Sequence, residues 1–157
     1  MKKFFLTAVF ILVALSASAQ DANNIYKKYS DASNVSSVFI SPAMFKLLGK
    51  LPDVQVNESE VNFSNVVKSM RGMYVIDSEN SSINADLRKD VEKLVDSGRY
   101  ELLMEARDNG EKFNIYIVPK GENVSSFVLF ANEGEECTFI CIDGDISMKE
   151  LQKMLDE

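Results

Sequence analysis

Two thiols and a surplus of carboxylates are the groups through which this chain could do chemistry. Cys137 and Cys141 stand four residues apart, and the 157 residues include no His and no Trp. If the run Cys137 to Ile142 is a strand, the two side chains share a face. Their Cα atoms are then about 13 Å apart, whereas a disulfide needs less than about 7 Å. The pair therefore reads as two buried thiols flanking Phe139. Without His, Ser–His and Cys–His nucleophilic pairs are closed to a single chain, as are zinc sites built on His. Asp143-Gly144-Asp145 is similar to a fragment of a calcium loop but lacks its further acidic and Gly positions. It reads instead as a strand-to-helix turn whose acids favour a helix N-terminus. The 24 Asp plus Glu leave a carboxylate acid–base pair as the open route to hydrolysis. These carboxylates are spread over turns and polar helix faces. No Gly-rich phosphate loop, nucleophile elbow or Cys-x-x-Cys is present. No catalytic residue, metal ligand or cofactor site is assigned.

The elements that would position these groups change character half-way along the chain. Asp21 to Asp31 reads as a short helix with Ile25 and Tyr29 on one side. Val35 to Ile40 is a β-rich run. Ser41-Pro42 opens a helix, because Ser is a favoured N-cap and Pro suits the first helical position. That helix is expected to bury Met44, Phe45 and Leu48 and to stop near Gly49. Phe63, Val66, Val67 and Met70 recur at helical spacing, with Gly72 as the stop and a short strand over Met73 to Ile76. Ile83, Leu87, Val91, Leu94 and Val95 make the clearest amphipathic helix, closed by Gly98.

From Tyr100 the apolar period becomes two. Tyr100, Leu102, Met104 and Ala106 share one face, as do Phe113, Ile115 and Ile117, with Asn109-Gly110 between them as a hairpin signal. A two-residue turn there pairs Ala106 with Phe113, Met104 with Ile115 and Leu102 with Ile117. Further turns near Gly121 and Gly134 complete a four-stranded antiparallel meander from Tyr100 to Ile142. Asp143-Gly144 then turns the chain, and Ser147 with Glu150 forms a capping box. The last helix is expected to bury Met148, Leu151, Met154 and Leu155. The fold class is α+β: a helical N-terminal half, this meander with one or two extra short strands, and a C-terminal helix.

The last two strands do not alternate apolar with polar, as a sheet with one wet face would. Val128 and Phe130 on one strand, and Ile140 and Ile142 on the next, are apolar on the side away from Phe127 and Phe139. Together with Tyr116 they form the candidate interaction face, able to meet a partner chain or apolar ligand.

Residues 1–20 carry an address. Lys2 and Lys3, an apolar run from Phe4 to Leu15, and Ala17-Ser18-Ala19 occur in the order of a secretory signal, with cleavage between Ala19 and Gln20. The run is too short to span a bilayer. Removal of residues 1–19 takes two lysines and no acid, leaving 15 basic against 24 acidic residues and a net charge of −9. Such a charge without a basic cluster disfavours nucleic acid and anionic lipid. No Cys lies beside the cleavage site and no second long apolar stretch follows. The expectation is an exported chain, periplasmic or extracellular, with no transmembrane helix and no lipid anchor in the mature form. Residues 20–157 suit a single domain.

The stretch YELLMEARDNGEKFNIYIVPKGENVSSFVLFANEGEECTFICIDGDISMKELQKML resembles the domain of unknown function family 4252. The similarity centres on Gly144-Asp145-Ile146 followed by Leu151 and extends through SNVVKSMRGMYVIDSE. Members are small exported proteins found mainly in Bacteroidetes. The resemblance implies export and an α+β domain, and it carries no catalytic or binding residue. The expected function is a non-enzymatic exported module that binds an envelope protein or itself. The alternatives are a carboxylate-dependent extracytoplasmic hydrolase and a purely structural homodimer.

Overall fold

A computed structural model describes residues 21–49, 63–149 and 152. The expected signal segment and the Ala19–Gln20 cleavage point lie outside the described residues, as does most of the expected last helix. Four helices are described: α1 (Ala22–Tyr29), α2 (Pro42–Leu48), α3 (Phe63–Ser69) and α4 (Ser81–Val95). Six strands accompany them: β1 (Val35–Ile40), β2 (Met70–Ser78), β3 (Glu101–Asp108), β4 (Glu111–Lys120), β5 (Asn123–Glu133) and β6 (Glu136–Ser147). They form one antiparallel sheet in the order β1-β2-β6-β5-β4-β3.

This corrects the expected fold class. The meander β3 to β6 is present, but β2 pairs with β6 along its length and β1 pairs with β2. The result is a six-stranded sheet, not a four-stranded meander with one or two extra short strands; Met148, Lys149 and Gln152 are helical, and the rest of the expected C-terminal helix lies outside the described residues. The expected turn at Asp143-Gly144 is absent, because β6 runs on to Ser147. Gly144 is there for close approach: it pairs with Met70, where α3 passes directly into β2. A Cβ at position 144 would meet the Ser69 carbonyl oxygen at 2.5 Å. Ser147 ends that strand and directly precedes the helical Met148 and Lys149, the place of a helix N-cap. Met70 and Gly72, expected to finish a helix, likewise belong to β2.

Local chemistry explains the elements that follow the sequence reading. Asp21 caps α1 and Ser41 caps α2, each side chain accepting from a backbone N–H three residues on, and Pro42 occupies the first turn. Asn80 caps α4, and Gly98 takes a φ of +86° just beyond that helix. Asn109 and Gly110 both have positive φ, as a two-residue hairpin turn requires.

The principal core lies on one side of the sheet. Ile25 and Tyr29 from α1 and Leu87, Val91 and Leu94 from α4 cover Ile76, Val128, Cys137, Phe139 and Cys141. Tyr26, Phe39 and Tyr74 extend that layer over the β1 edge with ring centroids 5.1–5.8 Å apart. Helices α2 and α3 pack against β2 and β6 and bury Phe45 and Val66, which stand outside this cluster. Met44 is exposed, contrary to expectation.

At the far edge, β3 is exposed throughout, Leu102 and Leu103 each to 55%. Its register slips between Leu102 and Met104, so Leu103 is the extra residue of a bulge. The hairpin pairing holds from Asp108 to Met104 and then changes: Leu102 pairs with Tyr116, and Ile117 with Glu101. Leu102 and Ile117, expected as partners, therefore face opposite sides of the sheet. Glu105 of this strand is bridged by Arg107 at 2.8 Å and Lys112 at 3.3 Å.

Candidate functional site

The strand registers resolve the two faces of the sheet row by row. On the helix-covered side, Phe39, Tyr74, Cys141, Val128, Tyr116 and Leu102 form one cross-strand row. The next row holds Ile76, Phe139, Phe130 and Asn114. On the opposite side, Val38, Val75, Ile140, Leu129, Ile115 and Met104 form a row that crosses all six strands. Beside it run Ile40, Met73, Ile142, Phe127 and Ile117, ending at Glu101. A third row is polar over β1, β2 and β6, as Ser36, Asp77 and Thr138. It turns apolar over β5, β4 and β3, as Ala131, Phe113 and Ala106.

The two faces differ in burial. Val128, Cys137, Phe139 and Cys141 are 0% exposed on the helix side. On the other, Val75, Ile140, Leu129 and Ile115 are only partly buried while Ile117 and Ala131 are buried; the edge-strand residues of both faces are about half exposed, Val38 and Met104 here and Phe39 and Leu102 on the helix side. A sheet face that is aliphatic across six strands yet still reached by solvent is the surface of this molecule best suited to contact.

The candidate residues from the sequence divide between the two sides. Val128 is fully buried, and Phe130 and Tyr116 pack on the helix-side core. Ile140 and Ile142 belong to the open face. Sequence reasoning joined them because it did not fix the register across the turn at Gly134. That turn has two central residues, Gly134 at φ +61° and Glu135, and sets Phe130 opposite Phe139. Counting from it would have placed Leu129 beside Ile140, with Phe127 on the same side; Val75 and Ile115 join them only through the β2–β6 pairing and a β4–β5 register that shifts near Pro119.

Polar groups beneath the helices tie elements together. Lys28 and Tyr29 of α1 both donate to Asp90 Oδ2 of α4 at 2.6 Å, and Asp90 is 6% exposed. The hydrogen bond to Asp90 holds the Lys28 ammonium above its usual range. Burial, then the same carboxylate, pushes the Tyr29 phenol up to about 12. Asn84 accepts from Ser78 Oγ at 2.7 Å and donates to the Glu135 carbonyl, joining β2, α4 and the β5–β6 turn. The two cysteines are free; Cys137 donates to Asn132 Oδ1, and Cys141 lies 3.4 Å from Ser126 Oγ. Burial raises both thiols, and Asp143 raises Cys141 further. Such thiols are poor nucleophiles. Among the described residues, no group of three Cys, Asp or Glu is placed to hold a metal, and no helix is long and apolar enough to cross a membrane.

The family described as a domain of unknown function, DUF4252, matches residues 26–154. The chain belongs to that family. In this DUF4252 member, the match covers every described strand and helix α2, α3 and α4 entirely. No curated protein and no solved structure matches the chain.

The raised phenols and thiols predict the pH response of this DUF4252 domain. Burial also raises Tyr74 and Tyr100. For each group the folded pKa exceeds the unfolded one, so its contribution is complete below the unfolded value and lost as pH rises through the folded one. Urea midpoints are expected to stay level from about pH 6 to about pH 8, where a His-free chain has no side chain of ordinary pKa. They should then fall from about pH 8.5 to about pH 12 as unfolded thiols and phenols ionise first. A slope across the neutral interval would contradict this account.

Proposed function

We propose that the chain is an exported, non-enzymatic binding module of the cell envelope whose open sheet face receives its partner. The observation that carries this reading is the row Val38, Val75, Ile140, Leu129, Ile115 and Met104, apolar on every strand and only partly buried over its four inner strands. Among the described residues, the middle of the opposite face is fully buried at Cys141, Val128 and Phe139, whereas this row stays in reach of solvent, and exposed apolar surface favours making contacts. Export is supported by the charge, apolar run and small-residue order of residues 1–20.

A photo-activated cross-linker placed at Leu129 in the producing cell tests the surface, with the same group at exposed Glu92 of α4 as control. Specific adducts from position 129 and none from position 92 are expected. Equal labelling from both positions, or none from either, overturns the assignment. Fractionation that leaves the chain in the cytoplasm overturns export.

A further inference from the structure

We propose that the aromatic patch at the β1 edge, on the helix-covered side, receives an arginine side chain of a partner polypeptide, stacked on Phe39 and Tyr74 and paired with Asp143. This site lies apart from the open face and does not depend on it. Phe39 of β1 and Tyr74 of β2 are register partners whose rings stack at 5.1 Å and 20°. Tyr26 of α1 meets both rings at 5.7–5.8 Å. Phe39 is nonetheless 47% exposed, so part of this ring layer stays in water. The Tyr74 ring leans along its strand toward Gly72: a Cβ there would lie 3.8 Å from Tyr74 Cε2 and 3.9 Å from its hydroxyl. Gly72 pairs with Asp143 of β6, so the hydroxyl end of Tyr74 reaches the position beside that carboxylate.

Asp143 gives the patch its choice of partner. Tyr74 pairs with Cys141, which makes Asp143 its diagonal neighbour, about 7 Å away and within reach of long side chains. The Asp143 carboxylate is partly buried. It accepts from the Cys141 thiol at 3.6 Å, a weak donor, and no ion pair among the described residues includes it. Burial first, and then the charges of Asp143 and, more weakly, Asp21, raise the Tyr74 phenol, so both carboxylates act on that ring. A half-sheltered carboxylate among rings and without a cation is complementary to one, and the net charge of −7 acts the same way over a longer range. A guanidinium fits better than an ammonium. It is planar and weakly hydrated, and it lies on an aromatic face while its edge N–H groups reach a carboxylate. A sugar or an aliphatic side chain would cover the rings and leave the Asp143 charge unpaired.

The test follows backbone amide shifts of the isotope-labelled exported chain as N-acetyl-arginine methylamide is added at constant ionic strength. Saturable shifts centred on Phe39, Tyr74 and Asp143 are expected, with a Kd on the order of 10 mM for so small a probe. The citrulline analogue, similar in shape and uncharged, should bind about tenfold more weakly, and the lysine analogue several-fold more weakly. Asp143→Asn and Phe39→Leu should each weaken the arginine probe about fivefold. Asp143→Asn keeps an acceptor for Cys141 and Phe39→Leu keeps apolar bulk at a half-exposed position, so both should melt like the wild type. Equal affinity for the arginine and citrulline probes, or no saturable shift, overturns the proposal on the unmodified chain alone. Arginine binding that Asp143→Asn leaves unchanged, or a lysine probe as tight as the arginine one, overturns it as well. None of these outcomes involves position 129, so the open-face reading stands or falls by its own cross-linking test.

Discussion

Phe139→Ala is expected to remove a large share of the domain's stability. Phe139 is the largest fully buried side chain among the described residues, at 0% exposure, and lies on β6, one of the sheet's two middle strands. It stands opposite Ile76 on β2 and Phe130 on β5, in the core that Leu87, Val91 and Ile25 close from the helix side. Truncation of a buried Phe to Ala costs about 3–5 kcal/mol, through lost transfer energy and the cavity left behind. A domain has about 5–15 kcal/mol in total, so the change removes much of the margin. Urea unfolding followed by far-UV circular dichroism should show the midpoint falling by a large fraction of its value. Ile140→Ala, one residue along and on the opposite face, should shift it far less. Equal shifts for the two would mean that the faces are equally packed.

The second large effect is expected at Asp90. Its carboxylate receives the Tyr29 hydroxyl and the Lys28 ammonium at 2.6 Å, with Lys93 at 3.8 Å, and so fixes α1 against α4. Asp90→Ala leaves the buried Tyr29 hydroxyl without its acceptor, at a cost of roughly 2–3 kcal/mol. Lys28 is 55% exposed at its side chain and recovers water, so the ammonium adds little. Lys28→Met should cost about 1 kcal/mol, because the buried carboxylate loses its nearest cation but keeps Tyr29 and Lys93. Tyr29→Phe should cost about 1 kcal/mol, since it removes a donor and leaves the carboxylate its lysines. Thermal melts of the three variants test the order; a Lys28→Met loss as large as that of Asp90→Ala would refute it.

The parts of this fold that were legible in the sequence are those fixed within a few residues. Ser41-Pro42 marks a helix start, Asn109-Gly110 a two-residue turn, and the run Val35 to Ile40 a strand whose bounds the structure reproduces. The parts that were not legible depend on pairing at long range. Nothing within Ile142 to Ser147 distinguishes a turn from a strand until β2 lies beside it, and Gly144 reads as a turn residue although it serves the crossing of Ser69. The bulge at Leu103 was equally hidden, because the regular alternation of Leu102, Met104 and Ala106 persists in sequence while the extra residue turns Leu102 to the other face. The candidate face suffered from a register left uncounted at Gly134; its apolar character was visible, and its membership was not.

The bulged strand β3 also bears on what the molecule avoids. An outermost strand with Leu102, Leu103 and Met104 in the open is a template on which further chains could add by backbone hydrogen bonds, one after another without end. The kink at Leu103 breaks the straight run of donors and acceptors that such growth needs, and Glu101, Glu105, Arg107 and Asp108 bring charge to either side of it. The domain thereby keeps its apolar rim from seeding fibres.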